Sequence, residues 1–143
     1  MDLTEIAAKR EALAAAFAAE PAVLAGWLFG SVARGRAGVL SDVDFAVLLR
    51  GDAPRGMDRL VLLDRIAERA GRILGLPGEQ VDVVALEDQP TTFQHSVLRT
   101  GKLLYERDPA ARRLFAWQAI LRYLDFKPTL DIYDRARYGT RRA

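Results

Sequence analysis

Three strand-length runs set the terms for this chain: VLAGWLF at 23–29, VDFAVLL at 43–49 and VDVVAL at 81–86. Each is rich in Val and Leu and is bounded by turn-forming or charged residues, which reads as a short strand. The first is apolar at every position, as a strand is when both of its faces are buried. Helix-type segments alternate with these runs, so the chain reads as α/β (α+β), with helices packed on a small sheet, rather than as a bundle.

The helical segments have their own punctuation. Leu3, Ile6, Ala7, Leu13, Ala14 and Phe17 recur at helical spacing, with Thr4 or Asp2 as cap and Pro21 at the exit. After a loop at 51–56, Leu60, Leu63, Ile66, Ala67, Ala70, Ile73 and Leu74 trace one helix face that stops near Gly75, before Pro77 and Gly78. Pro90 opens a further helix to about Arg99, and Gly101 breaks it before the apolar LLY at 103–105. From Pro109 onward Leu114, Trp117, Ile120, Leu121 and Leu124 form a stripe expected to cover the chain's own sheet. Pro128 is expected to break or kink that helix, which resumes over 130–138 before a frayed GTRRA end.

The 143 residues, half of them apolar, suit one domain spanning 1–143. With no cysteine, disulfides, thiolate zinc sites and cysteine nucleophiles are excluded, and any metal has to sit on oxygen ligands or on the single histidine, His95. His95 is assigned a structural or surface role. Trp27, Phe29, Trp117 and Tyr123 are assigned to core or interface rather than to base stacking. The N-terminus lacks the basic start of a secretory signal, and no run approaches the roughly 20 apolar residues of a membrane span, so a soluble, cytoplasmic protein is expected. Residues 1–106 carry 12 basic and 15 acidic side chains, residues 107–143 nine and four. The basic end, with Tyr133, Arg135, Arg137 and Tyr138, is either a solvated face or an additional docking surface.

Chemistry concentrates in residues 30–44 and at Asp82. Gly30-Ser31 follows a strand and lets backbone approach a phosphate, which the Ser31 hydroxyl and the N–H groups of a following helix can bond. Arg34 and Arg36 lie in the same turn, within reach of a leaving pyrophosphate. Asp42 and Asp44 share one face of a strand start, and like charges so close call for a cation of the magnesium or manganese type. Asp82, charged in an otherwise apolar run, reads as a buried group in need of a partner. If its strand lies beside the second one, the three carboxylates converge.

The segment GSVARGRAGVLSDVDFAVLL resembles the signature of the polymerase-β-like nucleotidyltransferase superfamily, and Asp82 matches its third carboxylate. The Gly-Ser-x-Ala-Arg-Gly turn, the small size and GKLLYERD at 101–108 narrow the resemblance to MNT-type minimal nucleotidyltransferases. It covers a core of about 22–108, followed by a helical C-terminal segment of about 109–138 that is similar only in general form. The resemblance implies a mixed sheet and a metal-dependent transfer of AMP from ATP. Asp42 and Asp44 would bind two Mg2+ (or Mn2+) ions, and Asp82 would bind the ion at the acceptor and take its proton. Gly30, Ser31, Arg34 and Arg36 would hold the nucleotide. The implied partner is a HEPN-domain ribonuclease toxin, held as a hetero-oligomer and modified on a tyrosine by its antitoxin, with no nucleic-acid template and no membrane. Two other readings stay open: a small-molecule nucleotidyltransferase of the aminoglycoside-modifying kind, and an antitoxin that acts by binding alone.

Overall fold

In a computed structural model, residues 1–35 and 42–138 are described, without the side chains of 129, 130, 133, 134, 137 and 138. The three expected strands are present as β1 (Val23–Phe29), β2 (Val43–Leu49) and β3 (Val81–Ala85). A fourth, β4 (Lys102–Glu106), occupies the apolar run after Gly101. They form one mixed sheet in the order β3-β2-β1-β4, with β1 antiparallel to β2 and β4 and with β2 parallel to β3.

Side chains alternate across a sheet, and the two resulting cores account for the pattern read from the sequence. Val43, Phe45 and Val47 point into the larger core with Leu13 and Phe17 of α2 (Arg10–Ala18) and Ile66 of α4 (Gly56–Leu74). Ala46 and Leu48 point the other way, into a smaller core with Trp27 and with Val97 of α5 (Thr91–Thr100). Gly75 ends α4 in the left-handed region at φ 71°, a conformation glycine adopts without a Cβ penalty.

Three expectations are corrected here. The first helix is two, α1 (Leu3–Ala8) and α2, parted at Lys9. Asp2 caps the first through a 2.9 Å bond from the Glu5 N–H, and Lys9 Nζ donates to Ile73 O at 2.7 Å, at the far end of α4. No glycine or proline marks this break, which accompanies a tertiary contact. Of the break or kink expected at Pro128, the break is absent, since α6 (Pro109–Tyr138) runs through it. Pro128 is exposed, so the carbonyl its missing N–H leaves free can bond water. The stripe on α6 leaves most of its length off the sheet: Leu114, Leu121 and Leu124 are exposed, Trp117 is 62% exposed and Ile120 is half-buried, while Ala119 is the fully buried residue of that helix among the described residues.

The helix is held instead through α5. Arg122 donates to Gln94 Oε1 at 3.2 Å, the buried Gln94 amide donates to Leu86 O at 3.1 Å, and His95 stacks on Tyr123 with ring centroids 3.7 Å apart. His95 thus has a structural contact, as assigned. Among the described residues no helix is long and apolar enough to cross a membrane.

Candidate active site

The end of β1 and the start of β2 meet where the sequence places its densest chemistry. Antiparallel register sets Phe29 opposite Asp44, and parallel register sets Asp44 beside Asp82 on β3. Neighbours across a sheet project to the same face, so the Asp44 and Asp82 carboxylates rise together. Their face is that of the smaller core, because Val43 and Phe45, on either side of Asp44, enter the larger one. Asp42 stands just before β2.

Asp44 is half-buried, whereas Asp42 and Asp82 are exposed. Burial, then the negative charges of Asp82 and Asp42, push the Asp44 carboxyl above its usual range, and Arg34 pulls weakly against them. Asp82, Asp42 and Arg34 therefore all lie near enough to act on the Asp44 carboxyl. Asp82 is not the buried charge the sequence suggested. Its strand is at the sheet edge, so its side chain reaches water directly.

Gly30 is required here for two separate reasons. Its φ of 80° lies in the left-handed region, and a Cβ at this position would overlap Asp44 Oδ2. The sequence reading assigned Gly30 to the approach of a phosphate; the packing shows that it also makes room for the carboxylate of the neighbouring strand. Ser31 follows on the short α3 (Gly30–Ala33), whose first-turn N–H groups lack intrahelical acceptors. Exposed Arg34 ends that turn. Phe29 packs edge-on against Phe93 at 5.2 Å, which seats α5 beneath the site. Arg36 lies outside the described residues.

The donor set consists of carboxylate oxygens of like charge, which suits hard divalent cations. Among the described residues, no three His, Cys, Asp or Glu side chains are gathered at metal-holding spacing. The fit rests on the donors' chemistry and on the mutual repulsion recorded at Asp44. Glu87, a half-buried acid the sequence did not single out, belongs elsewhere. Its Oε2 accepts from the Leu49 N–H at 3.0 Å, at the opposite end of β2, and burial raises its carboxyl.

A Gly-Ser turn closing on an acidic trio at one sheet end defines a class. The chain belongs to the Polymerase beta nucleotidyltransferase family, whose model matches residues 11–110. No curated protein matches it in sequence. Among solved structures it is similar to a chain of a toxin–antitoxin complex with AMP-PNP, at 24% identity and TM-score 0.64, covering 96% of this chain and 99% of that one. It is also similar to a chain of the toxin–antitoxin pair MntA-HepT, at 22% identity and TM-score 0.64, covering 92% and 98%. A third likeness is to a chain of the tri-AMPylated Shewanella oneidensis HEPN toxin in complex with MNT antitoxin, at 22% identity and TM-score 0.65, covering 92% and 98%. At these identities the likeness is one of fold.

Proposed function

We propose that this chain transfers AMP from ATP to a tyrosine hydroxyl of a HEPN-domain ribonuclease toxin, and so acts as its antitoxin in a complex of the two. The observation that carries the reading is the Asp42, Asp44 and Asp82 cluster at one sheet end, with Gly30 fitted against Asp44. Family membership supports nucleotidyl transfer. The choice of AMP and of a protein acceptor is supported by likeness of fold to chains from complexes that hold AMP-PNP and an AMPylated toxin.

In the reaction, the acceptor oxygen attacks the α-phosphorus and a new P–O bond forms. The bond from the α-phosphorus to the oxygen bridging the β-phosphate breaks, and pyrophosphate leaves with the electron pair. The hydroxyl proton passes to Asp82, whose exposure on the edge strand leaves it open to an incoming acceptor. The Ser31 hydroxyl and the first-turn N–H groups of α3 bond the β and γ phosphates. Arg34 neutralises charge on the leaving pyrophosphate, a part also assigned to Arg36. Asp42 and Asp44 would hold two divalent cations, Mg2+ or Mn2+, and Asp82 the one on the acceptor side. Such cations relieve the repulsion among the carboxylates and stabilise charge on the attacking and leaving oxygens.

The test is incubation with α-labelled ATP, Mg2+ and the HEPN-domain partner, beside an Asp42→Ala, Asp44→Ala double variant. Label on a partner tyrosine that the double variant fails to add supports the reading. Neutralisation of the partner by the double variant at normal expression would mean that binding alone suffices, and the proposed mechanism would be wrong for this protein.

A further inference from the structure

The smaller core has a rim beside the carboxylates to which the transfer chemistry has given no part. Ala46, two residues past Asp44 and so on the same face of β2, is fully buried in that core together with Val97 of α5. The helix therefore closes the sheet face directly below the acidic cluster. Phe29, Val84 and Phe93 pack against the same core but are only half-buried. Register places two of them: Phe29 stands opposite Asp44, with Cβ atoms about 5 Å apart, and Val84 follows Asp82 by two residues on its face. Phe93, in the first turn of α5, is fixed by its edge-on contact with Phe29 at 5.2 Å.

The direction of the reaction gives this rim its meaning. Asp82, Asp44 and Phe29 stand in one row across β3, β2 and β1, and Gly30-Ser31 continues from Phe29. With the acceptor at Asp82 and the leaving pyrophosphate at Ser31, the bond that forms and the bond that breaks lie along that row. The other three groups on the α-phosphorus point across it, and the ribose oxygen is one of them. One crosswise direction leads off the end of the sheet, and the other leads down the face onto α5. Among the described residues, the second direction is the one that meets aromatic surface, at Phe93. A nucleobase needs a flat apolar partner for its ring, and a phenyl side chain supplies one.

We propose that Phe93 is the platform on which the base of the bound nucleotide stacks, with Phe29 bracing its ring from the core. This rests on the transfer reading above and specifies how the nucleoside end of the substrate is held, where Gly30, Ser31 and Arg34 hold its phosphates. Because a phenyl ring makes no hydrogen bond to a base edge, Phe93 adds affinity without selecting adenine.

The experiment measures binding of AMP-PNP and of inorganic tripolyphosphate, each with Mg2+, by calorimetry for the natural chain, Phe93→Leu and Phe93→Tyr. Leucine keeps apolar bulk on α5 but removes the ring, whereas tyrosine keeps the ring. The expected result for Phe93→Leu is a Kd for AMP-PNP raised about tenfold, with tripolyphosphate binding within about twofold of the natural chain, and Phe93→Tyr binds both as the natural chain does. Unchanged AMP-PNP affinity in Phe93→Leu overturns the platform. Equal weakening of both ligands overturns it too, because Phe93 would then act only by supporting the carboxylates through Phe29. A readout on the natural chain needs no variant: in the saturated complex, nuclear Overhauser contacts join the adenine protons to the Phe93 ring, and their absence overturns the proposal. Base-selective binding through Phe93 without transfer to the HEPN-domain partner supports the platform and overturns the transfer reading alone. Failure of the natural chain to bind AMP-PNP overturns both.

Discussion

Glu20, at the turn between α2 and β1, is 6% exposed and meets two guanidiniums of α4: Arg65 reaches Oε2 at 3.0 Å and Arg69 reaches Oε1 at 3.2 Å. Asp44, in the central strand β2, meets two more carboxylates and only the weak pull of Arg34. The hydrogen bond from Arg65, helped by both positive charges, holds the Glu20 carboxyl below its usual range despite burial. Asp44 is displaced in the opposite direction. One acid is neutralised from within the chain and serves stability, while the other is left uncompensated beside two like charges, where the proposed function places a cation.

The largest expected effect lies on the uncompensated side. The Asp42→Ala, Asp44→Ala variant should lose about 10³-fold or more in transfer rate, roughly 4 kcal/mol of transition-state stabilisation, in a single-turnover assay. A double variant that kept a tenth of the activity would mean that the cluster does not hold the reacting groups. Next comes Gly30→Ala, which strains the turn and pushes on Asp44. A displacement of that kind should lower transfer about 100-fold while far-UV circular dichroism stays native.

Glu20→Gln tests the compensated side, with a loss of about 1–2 kcal/mol in urea denaturation and little change in transfer. Because the Glu20 value is lowered on folding, its contribution is present at neutral pH and disappears as pH falls through that value. The two proteins should therefore converge in stability in acid. Asp44→Asn gives the smallest effect and the opposite sign. Without cation at neutral pH it should melt roughly 2 °C higher than the natural chain, discounted for the solvent around the site. That advantage should vanish as pH falls through the raised Asp44 value towards the ordinary aspartate range, where the natural carboxyl is itself neutral. A melting point lowered by Asp44→Asn would contradict the repulsion assigned to the cluster.

The same contrast explains what could be read from the sequence. The Gly-Ser turn, the Asp-Val-Asp start of β2 and the lone Asp82 are local patterns, and the sheet joins them through a register that three apolar runs make legible. Whether a strand is central or at the edge depends on its neighbours, so Asp82 read as buried although it faces water. β4 is short and, among the described residues, pairs only with β1, and as KLLYE it lacks the β-branched residues that announce a strand. The α6 stripe has ordinary helical spacing. Its exposure follows from the way Arg122, Gln94 and the His95–Tyr123 stack orient the helix, contacts between side chains far apart in sequence. The role of Gly30 in making room for Asp44 is likewise a property of the antiparallel pairing and not of the turn.

Arg107, just past β4, donates to Val23 O at 3.0 Å and to Ala18 O at 2.7 Å, reaching back 84 and 89 residues. Its neighbour strand is the second partner of β1. On a ribosome adding about 5–20 residues per second, roughly 4–16 s separate the emergence of β1 from that of the strand that closes its outer edge. Through that interval the most apolar strand of the chain keeps an unpaired edge, which β4 then closes and Arg107 latches.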